Sequence, residues 1–303
     1  IEVGRRIQSR ELSAVEVTRT MLERIDSVMQ AYIDRNETAG VVTLVARKGK
    51  VVHFSALGER DAESGAPMTH DSIFRIASMT KPIASVALMM MYEEGHFQLR
   101  DPISKWLPEF ADRRVAIPSP PQERVTGRYK TIPAEGSITV QQILTHTAGL
   151  ANSYRGITQP EFLEMSAKTR PGDTVGDMLK RLATLPLNFQ PGEHWEYGRA
   201  TDIVGRLVEV MSGQTLDEFF KTRIFEPLDM LDTGFHVPAD KADRFVSCHG
   251  KEEGKLIVVD KAEKSPYLAK PDFLSGGGGL VSTMEDYARF CQALLTDSQA
   301  LSR

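Results

Sequence analysis

Residues Phe74 to Gly95 read FRIASMTKPIASVALMMMYEEG, and no other stretch restricts the fold as much. A short apolar, strand-like segment gives way to a helix carrying Ile83, Val86, Ala87, Met90 and Met91, with Gly95 as a natural stop. A helix this apolar has to be buried in a packed core. Its head, however, is polar. Ser78 and Lys81 stand about one helical turn apart, so both side chains can lie on one face, and Pro82 is tolerated if it falls in the first turn. A serine hydroxyl becomes a nucleophile when a base takes its proton, and a lysine can be that base once desolvation or a neighbouring cation lowers its pKa. The positive end of the helix suits an oxyanion forming at the serine. An N-capping serine followed by a solvated lysine has the same spacing, so the pair alone does not decide between chemistry and capping.

The remaining composition excludes more than it selects. The chain has 303 residues, enough for one large domain or two interleaved ones, with 41% hydrophobic and 26% charged residues, as in an ordinary globular protein. A net charge of -4 gives no electrostatic reason to expect nucleic acid as a partner, and no apolar run is long enough to span a membrane. Cys248 and Cys291 are too few for a disulfide framework and are expected to be reduced and partly buried. The histidines form no His-x-x-x-His pair and the cysteines no Cys-x-x-Cys, so neither a metal nor another cofactor is expected. The run Gly276–Gly279 is not followed by Gly-Lys-Ser/Thr and is no phosphate loop. His146 suggests a Ser-His-Asp triad, but the chain has no Gly-x-Ser-x-Gly elbow; a structural histidine hydrogen-bonded near a helix end is expected instead.

Along the chain, Leu12 to Arg35 reads as one amphipathic helix capped by Ser13 and Glu16, with Val15, Leu22, Ile25, Val28, Met29 and Ile33 on its packing face. Gly40–Ala46 and Val51–Leu57 are β-branched runs around a polar turn and predict a hairpin. Asp101-Pro102 opens a short helix, residues 118–137 form a Pro-, Gly- and charge-rich surface excursion, and Thr139 caps the helix that leads into LTHTAGL. Segments 160–168, 173–185, 199–212 and 215–225 read as helices; strand signals return at 245–249, 256–260 and 279–283, followed by a helix over 284–295. The expected class is α+β, an antiparallel sheet covered by helices, with a mostly helical subdomain.

Four motifs then fall in one order: FRIASMTK at 74–81, LTHTAGL at 144–150, QPGE with Trp195-Glu196-Tyr197, and SGGGGL at 275–280. Together they resemble the serine β-lactamase-related superfamily, comprising class C β-lactamases, DD-peptidases and the carboxylesterases on that fold. The resemblance covers residues 25–303, with 98–244 as the helical subdomain, 25–97 plus 245–303 as the α/β part, and 1–24 as an extension and helix start. It implies Ser78 as acylated nucleophile, Lys81 as its partner, and Tyr197 as proton acceptor or shuttle. A phenol, ordinarily near pKa ~10, needs a cation such as Lys81 beside it to serve as a base near neutrality. The resemblance also places Arg199, Gly277 and Gly278 beside the substrate.

Two departures qualify what the resemblance implies. Arg199 stands where β-lactamases carry an asparagine that binds the amide of a β-lactam, which favours the esterase branch. The third family motif, Lys-Thr-Gly or a His-x-Gly or Trp-x-Gly variant, does not occur between Gly279 and Arg303, which implies a C-terminally truncated member. The strand bearing that motif supplies an oxyanion donor, whose loss typically costs about 100–1,000-fold in kcat. The expected activity is therefore ester hydrolysis, on short-chain esters, through an acyl-enzyme. A β-lactamase or DD-peptidase acting on a β-lactam, and a non-catalytic or inactive member, are the alternatives. The esterases imply a cytoplasmic protein, the lactamases and peptidases a periplasmic or secreted one, and a homo-oligomer is left open.

Overall fold

Lys48 and Gly49 both adopt left-handed φ, 51° and 72°, and turn the chain back on itself in two residues. Glycine takes this conformation without strain, and paired positive φ values match the twist of the flanking strands. Strand β1 (Gly40–Arg47) thereby pairs antiparallel with β2 (Lys50–Asp61), from Arg47 opposite Lys50 to Gly40 opposite Gly58, with a bulge at Val45/Ala46. A third strand, β3 (Ala66–Pro67), adds to β2 and gives the order β1-β2-β3. The structure is a computed structural model and describes residues 5–6, 9, 13–119 and 129–296. It divides into two compact units: the described residues of Ile1–Phe74, Val237–Ala269 and Ser282–Gln292, and those of Arg75–His236, Lys270–Val281 and Ala293–Arg303.

In the first unit, helix α1 (Ala14–Asp34) starts at Ser13, whose Oγ accepts the Glu16 N–H. The expected residue Leu12 lies outside the described residues. The packing face is narrower than its pattern suggests. Leu22, Ile25, Met29 and Ile33 are half-buried, but Val15 and Val28 are exposed. At 100° per residue, Val28 falls roughly 110° round the helix from that face, and Val15 belongs to the first turn. Val42, Met68 and Val246 form a buried cluster with Phe54, Ala56, Phe74 and Met284 packed on it. Asp61, at the end of β2, accepts the N–H groups of Glu63 and Ser64 at 3.0 and 2.8 Å and the Ser247 hydroxyl at 2.5 Å. A second hairpin pairs Cys248–Glu252 with Lys255–Asp260. Both cysteines are free thiols, and both are exposed rather than partly buried.

The second unit is built on α2 (Thr80–Glu93), whose Ile83, Ala84, Ala87 and Leu88 are completely buried. Pro82 falls in its first turn, and Gly95, at φ 81°, closes its C-terminal end in the left-handed region. After it come α3 (Val140–Leu144), α4 (Gln159–Ala167), α5 (Val175–Thr184), α6 (Ala200–Ser212) and α7 (Leu216–Phe220). Thr139 and Gln142 form a capping box at the head of α3, and Thr174 and Asp177 form one at the head of α5. Helix α6 packs on α2, and its Ile203, Val204, Leu207 and Val208 are fully buried. The surface excursion expected over 118–137 contains a strand. Arg114–Pro118 pairs antiparallel with Tyr129–Pro133, and Val115 also bridges to Leu187. Alternating β-formers drive this pairing, and the surrounding prolines conceal it in the sequence. Residues 120–128 of that excursion lie outside the described residues.

Candidate active site

Ser78 sits in a single 3-10 turn, Ala77–Met79, that feeds directly into α2. Ala77 adopts φ 43°, a conformation that costs a non-glycine residue of the order of 1 kcal/mol. Three hydrogen bonds hold the turn: Ile76 N–H to Leu280 O at 3.0 Å, Met79 N–H to Ile76 O at 2.9 Å, and Leu280 N–H to Thr80 Oγ1 at 3.2 Å. The bend leaves Ser78 exposed while Thr80, two residues later, is fully buried.

Lys81, one turn further on, donates to Ser78 Oγ at 3.1 Å and to the main-chain carbonyl of Gly277 at 2.5 Å. Tyr197, 119 residues beyond Ser78, brings its Oη to 2.8 Å from Ser78 Oγ. The Lys81 ammonium also lies 4.8 Å from the centre of the Tyr197 ring. The structure therefore brings Ser78, Lys81, Tyr197 and Gly277 together. Gly278 is adjacent: a Cβ there would stand 3.7 Å from the Ala77 carbonyl carbon. Arg199 turns to Asp202 Oδ2 at 3.2 Å and is partly exposed.

Burial works to raise the Tyr197 pKa, but the Lys81 and Ser78 hydrogen-bonding groups and the Lys81 charge outweigh it. The net shift is downward from the ordinary phenol value, with Asp202 opposing. The His146 ring stacks on Tyr197, and Trp195 and Tyr154 lie 6.4 and 6.0 Å from it, centre to centre. His146 does follow a helix end, at φ 56°, but its buried Nδ1 has no hydrogen-bond partner among the described residues. The hydrogen-bonded histidine expected from the sequence is thus a stacked one.

Asn152, Asn188 and Asp202 are positioning residues that belong to none of the motifs. Glu196 accepts from Asn152 and, at 2.8 Å, from Asn188, and its N–H donates to His146 O at 2.9 Å, so the backbone next to Tyr197 is pinned on both sides. Asp202, only 1% exposed, accepts from the Ser275 hydroxyl at 2.6 Å and from Gly277 N–H at 3.0 Å. The glycines of the 276–279 run allow a close approach to α6: a Cβ on Gly276 would stand 2.7 Å from Thr201 O and 3.2 Å from Gly205 Cα. Among the described residues no group of three His, Cys, Asp or Glu side chains is placed to hold a metal ion, and no helix is long and apolar enough to cross a membrane.

Ser78, Lys81 and Tyr197 thus stand together at the head of a buried helix, in the arrangement that the order of the motifs implies. The chain matches the Beta-lactamase family over residues 25–303 and belongs to it. Protein Rv1367c of Mycobacterium tuberculosis is 36% identical over 266 residues, 87% of this chain and 64% of its own length, so the chain spans less than two thirds of that relative. Esterase EstB of Burkholderia gladioli is 29% identical over 296 residues, 91% of this chain and 70% of the esterase. The solved structure of EstCE1, described as a hydrolase with promiscuous acyltransferase activity, superposes with a TM-score of 0.76 at 25% identity, over 92% of this chain and 74% of that one. The architecture is accordingly the α+β, β-lactamase/DD-peptidase-like fold.

Proposed function

We propose that this protein is a serine hydrolase that cleaves carboxylic esters, short-chain ones in particular, through an acyl-enzyme on Ser78. One observation carries the reading: Ser78 Oγ stands within hydrogen-bonding reach of both Tyr197 Oη, at 2.8 Å, and Lys81 Nζ, at 3.1 Å. With Lys81 donating to Oγ, the serine's own hydrogen can point at Tyr197. Tyr197, ionised beside the Lys81 cation, takes that proton as Oγ bonds to the ester carbonyl carbon. The tetrahedral oxyanion forms at the positive end of α2, which favours it. Collapse breaks the carbon–oxygen bond to the alcohol, and Tyr197 returns the proton to the departing alkoxide. Water then attacks the acyl carbon and gives one proton to Tyr197; the bond from that carbon to Ser78 Oγ breaks, Tyr197 returns the proton to Oγ, and the acid leaves, losing its remaining proton to solvent as a carboxylate. A second alcohol in place of water would give acyl transfer, the side activity named for EstCE1.

Arg199 supports esters over β-lactams. It occupies the position of the asparagine that grips a β-lactam amide in the lactamases, and it has no acceptor oxygen to offer an amide N–H. The test is intact-protein mass after exposure to a fluorophosphonate, with Ser78→Ala as control, circular dichroism to confirm folding, and parallel turnover of p-nitrophenyl butyrate and nitrocefin. One adduct on the parent, none on Ser78→Ala, and ester turnover above nitrocefin turnover are expected. A folded parent that takes up no adduct overturns the nucleophile assignment, and faster nitrocefin turnover overturns the ester assignment.

A further inference from the structure

We propose that Asp202 is a positioning residue, whose buried carboxylate holds the Ser275–Gly279 turn in the place where the Gly277 carbonyl seats the Lys81 ammonium beside Ser78. The inference rests on the nucleophile reading above and adds to it the group that keeps the lysine in register.

The geometry connects in short steps. Asp202 lies in the first turn of α6, and its side chain is 1% exposed. Oδ1 accepts the Ser275 hydroxyl at 2.6 Å and the Gly277 N–H at 3.0 Å. Oδ2 receives Arg199 Nη1 at 3.2 Å. The carbonyl of the same Gly277 accepts Lys81 Nζ at 2.5 Å, and Lys81 reaches Ser78 Oγ at 3.1 Å. Gly277 is thus held through its N–H by Asp202 and through its carbonyl by Lys81. Among the described residues the turn's other main-chain bonds are local, Ser275 N–H to Phe273 O at 3.1 Å and Gly278 and Gly279 N–H to Ser275 O at 3.4 and 3.0 Å, and they do not fix it against α6. A charge taken out of water is costly unless it is fully hydrogen-bonded, and this one spends its acceptors on the turn that carries the lysine's partner. A first-turn acid serving only the helix dipole would have no need to be buried or to bond residues more than seventy positions away.

The carboxylate also reaches the site electrostatically. The charged and titratable groups around Tyr197 are Lys81 of α2, His146 and Tyr154 from the segment after α3, Glu196 beside it, whose carboxylate is paired with Arg155 at 3.4 Å, and Asp202 of α6, with Arg199 as the counter-charge to Asp202. Of the two carboxylates, Asp202 is the one whose charge acts on the phenol, and it disfavours the phenolate.

The experiment measures the rate at which a fluorophosphonate labels Ser78, from pH 5 to 10, in the parent and in Asp202→Ala, Asp202→Asn and Arg199→Gln. Releasing the turn in Asp202→Ala is expected to slow labelling at the pH plateau by about 100-fold, the usual consequence of an ångström-scale misplacement. Asp202→Asn keeps an acceptor for the turn but loses the charge, so its plateau falls less and its acid limb moves to lower pH. Arg199→Gln leaves the Asp202 charge uncompensated and moves the acid limb to higher pH. Opposite shifts from neighbouring substitutions are not a signature of general damage to the fold. Asp202→Ala labelled at the parental rate with an unchanged profile overturns the proposal; should that variant not fold, an Asp202→Asn profile superimposable on the parent's does so. A crystal structure of Asp202→Ala with the turn unmoved and Lys81 Nζ still on Gly277 O overturns it as well. If the folded parent itself takes no label, the nucleophile reading falls, and the crystal structure alone decides whether Asp202 holds the turn.

Discussion

The imidazole of His146 lies against the phenol of Tyr197, ring centres 5.2 Å apart and planes inclined by 28°. Burial, reinforced by the Lys81 charge, holds the histidine below its ordinary pKa, so it is neutral at pH 7. A neutral ring with an unpartnered buried nitrogen acts as a flat wall for the tyrosine. His146→Phe keeps the wall and removes the desolvated nitrogen. It should label with fluorophosphonate within about threefold of the parent and melt at the same or a higher temperature. His146→Ala removes the wall and should slow labelling by about tenfold, the upper range of a stacking contact.

Tyr197 carries the proton in the proposed reaction. Tyr197→Phe should lower ester turnover by about 100- to 10,000-fold, as expected for loss of a general base. Combined with Ser78→Ala it should cost nothing more than Ser78→Ala alone, since the two act as a unit. Steady-state rates of the single and double variants on p-nitrophenyl butyrate check this.

The pH profile follows from the same group. The phenol is held below its ordinary value of about 10, and in the proposed reaction its ionised form is the base. Activity should therefore rise with pH through a midpoint below 10 and fall away on the acid side, where the phenol is protonated. A profile of kcat/KM in Tyr197→Phe should lose that limb.

Much of this site is legible in the sequence because its chemistry is local or ordered. Ser78 and Lys81 share one turn, and a polar pair heading so apolar a helix invites a functional reading. Tyr197 is readable only through the order of the motifs, since nothing near it distinguishes it from a core tyrosine. Asp202 escapes: an acid in a first helical turn is ordinary helix chemistry, and its partner Ser275 lies 73 residues away. The strand pair of Arg114–Pro118 with Tyr129–Pro133 escapes for another reason. Pro118, Pro120, Pro121 and Pro133 read as breakers, whereas proline is tolerated at strand ends. The helix signals are the most faithful, as at 284–295, where periodicity and observed bounds coincide.

The glycine run offers a graded test of packing. A Cβ at position 276 would meet backbone at 2.7 and 3.2 Å, at 277 the Asp202 carboxylate at 3.0 Å, and at 278 nothing closer than 3.7 Å. Gly276→Ala should be the most destabilising, by about 1–3 kcal/mol, and Gly278→Ala the least. Urea midpoints should follow the order 276, 277, 278 from lowest to highest. Gly277→Ala should slow Ser78 labelling more than its stability loss explains.

Asp61 supplies a pH-dependent element of stability. The Ser247 hydroxyl, with the Ser64 and Glu63 N–H groups, lowers its carboxyl to about 2, and burial opposes them. Its unfolded value is near 3.9, so the stabilisation is complete above about pH 5 and drains away as pH falls towards 2. Ser247→Ala should cost about 1.5–3 kcal/mol at pH 7, the range for a hydrogen bond to a charged group, and appreciably less at pH 2. Urea unfolding at the two pH values reads the difference.

The lysine of the site finds its acceptor on the main chain, at Gly277 O. A peptide oxygen is common to every amino acid, so no point substitution can exchange its chemistry for another; only its direction is open to variation. Libraries that randomise the side chains around a bound ester would leave this contact untouched. Inherited or engineered differences in how readily Ser78 reacts should instead accumulate in residues that aim the turn, many of them out of reach of any substrate.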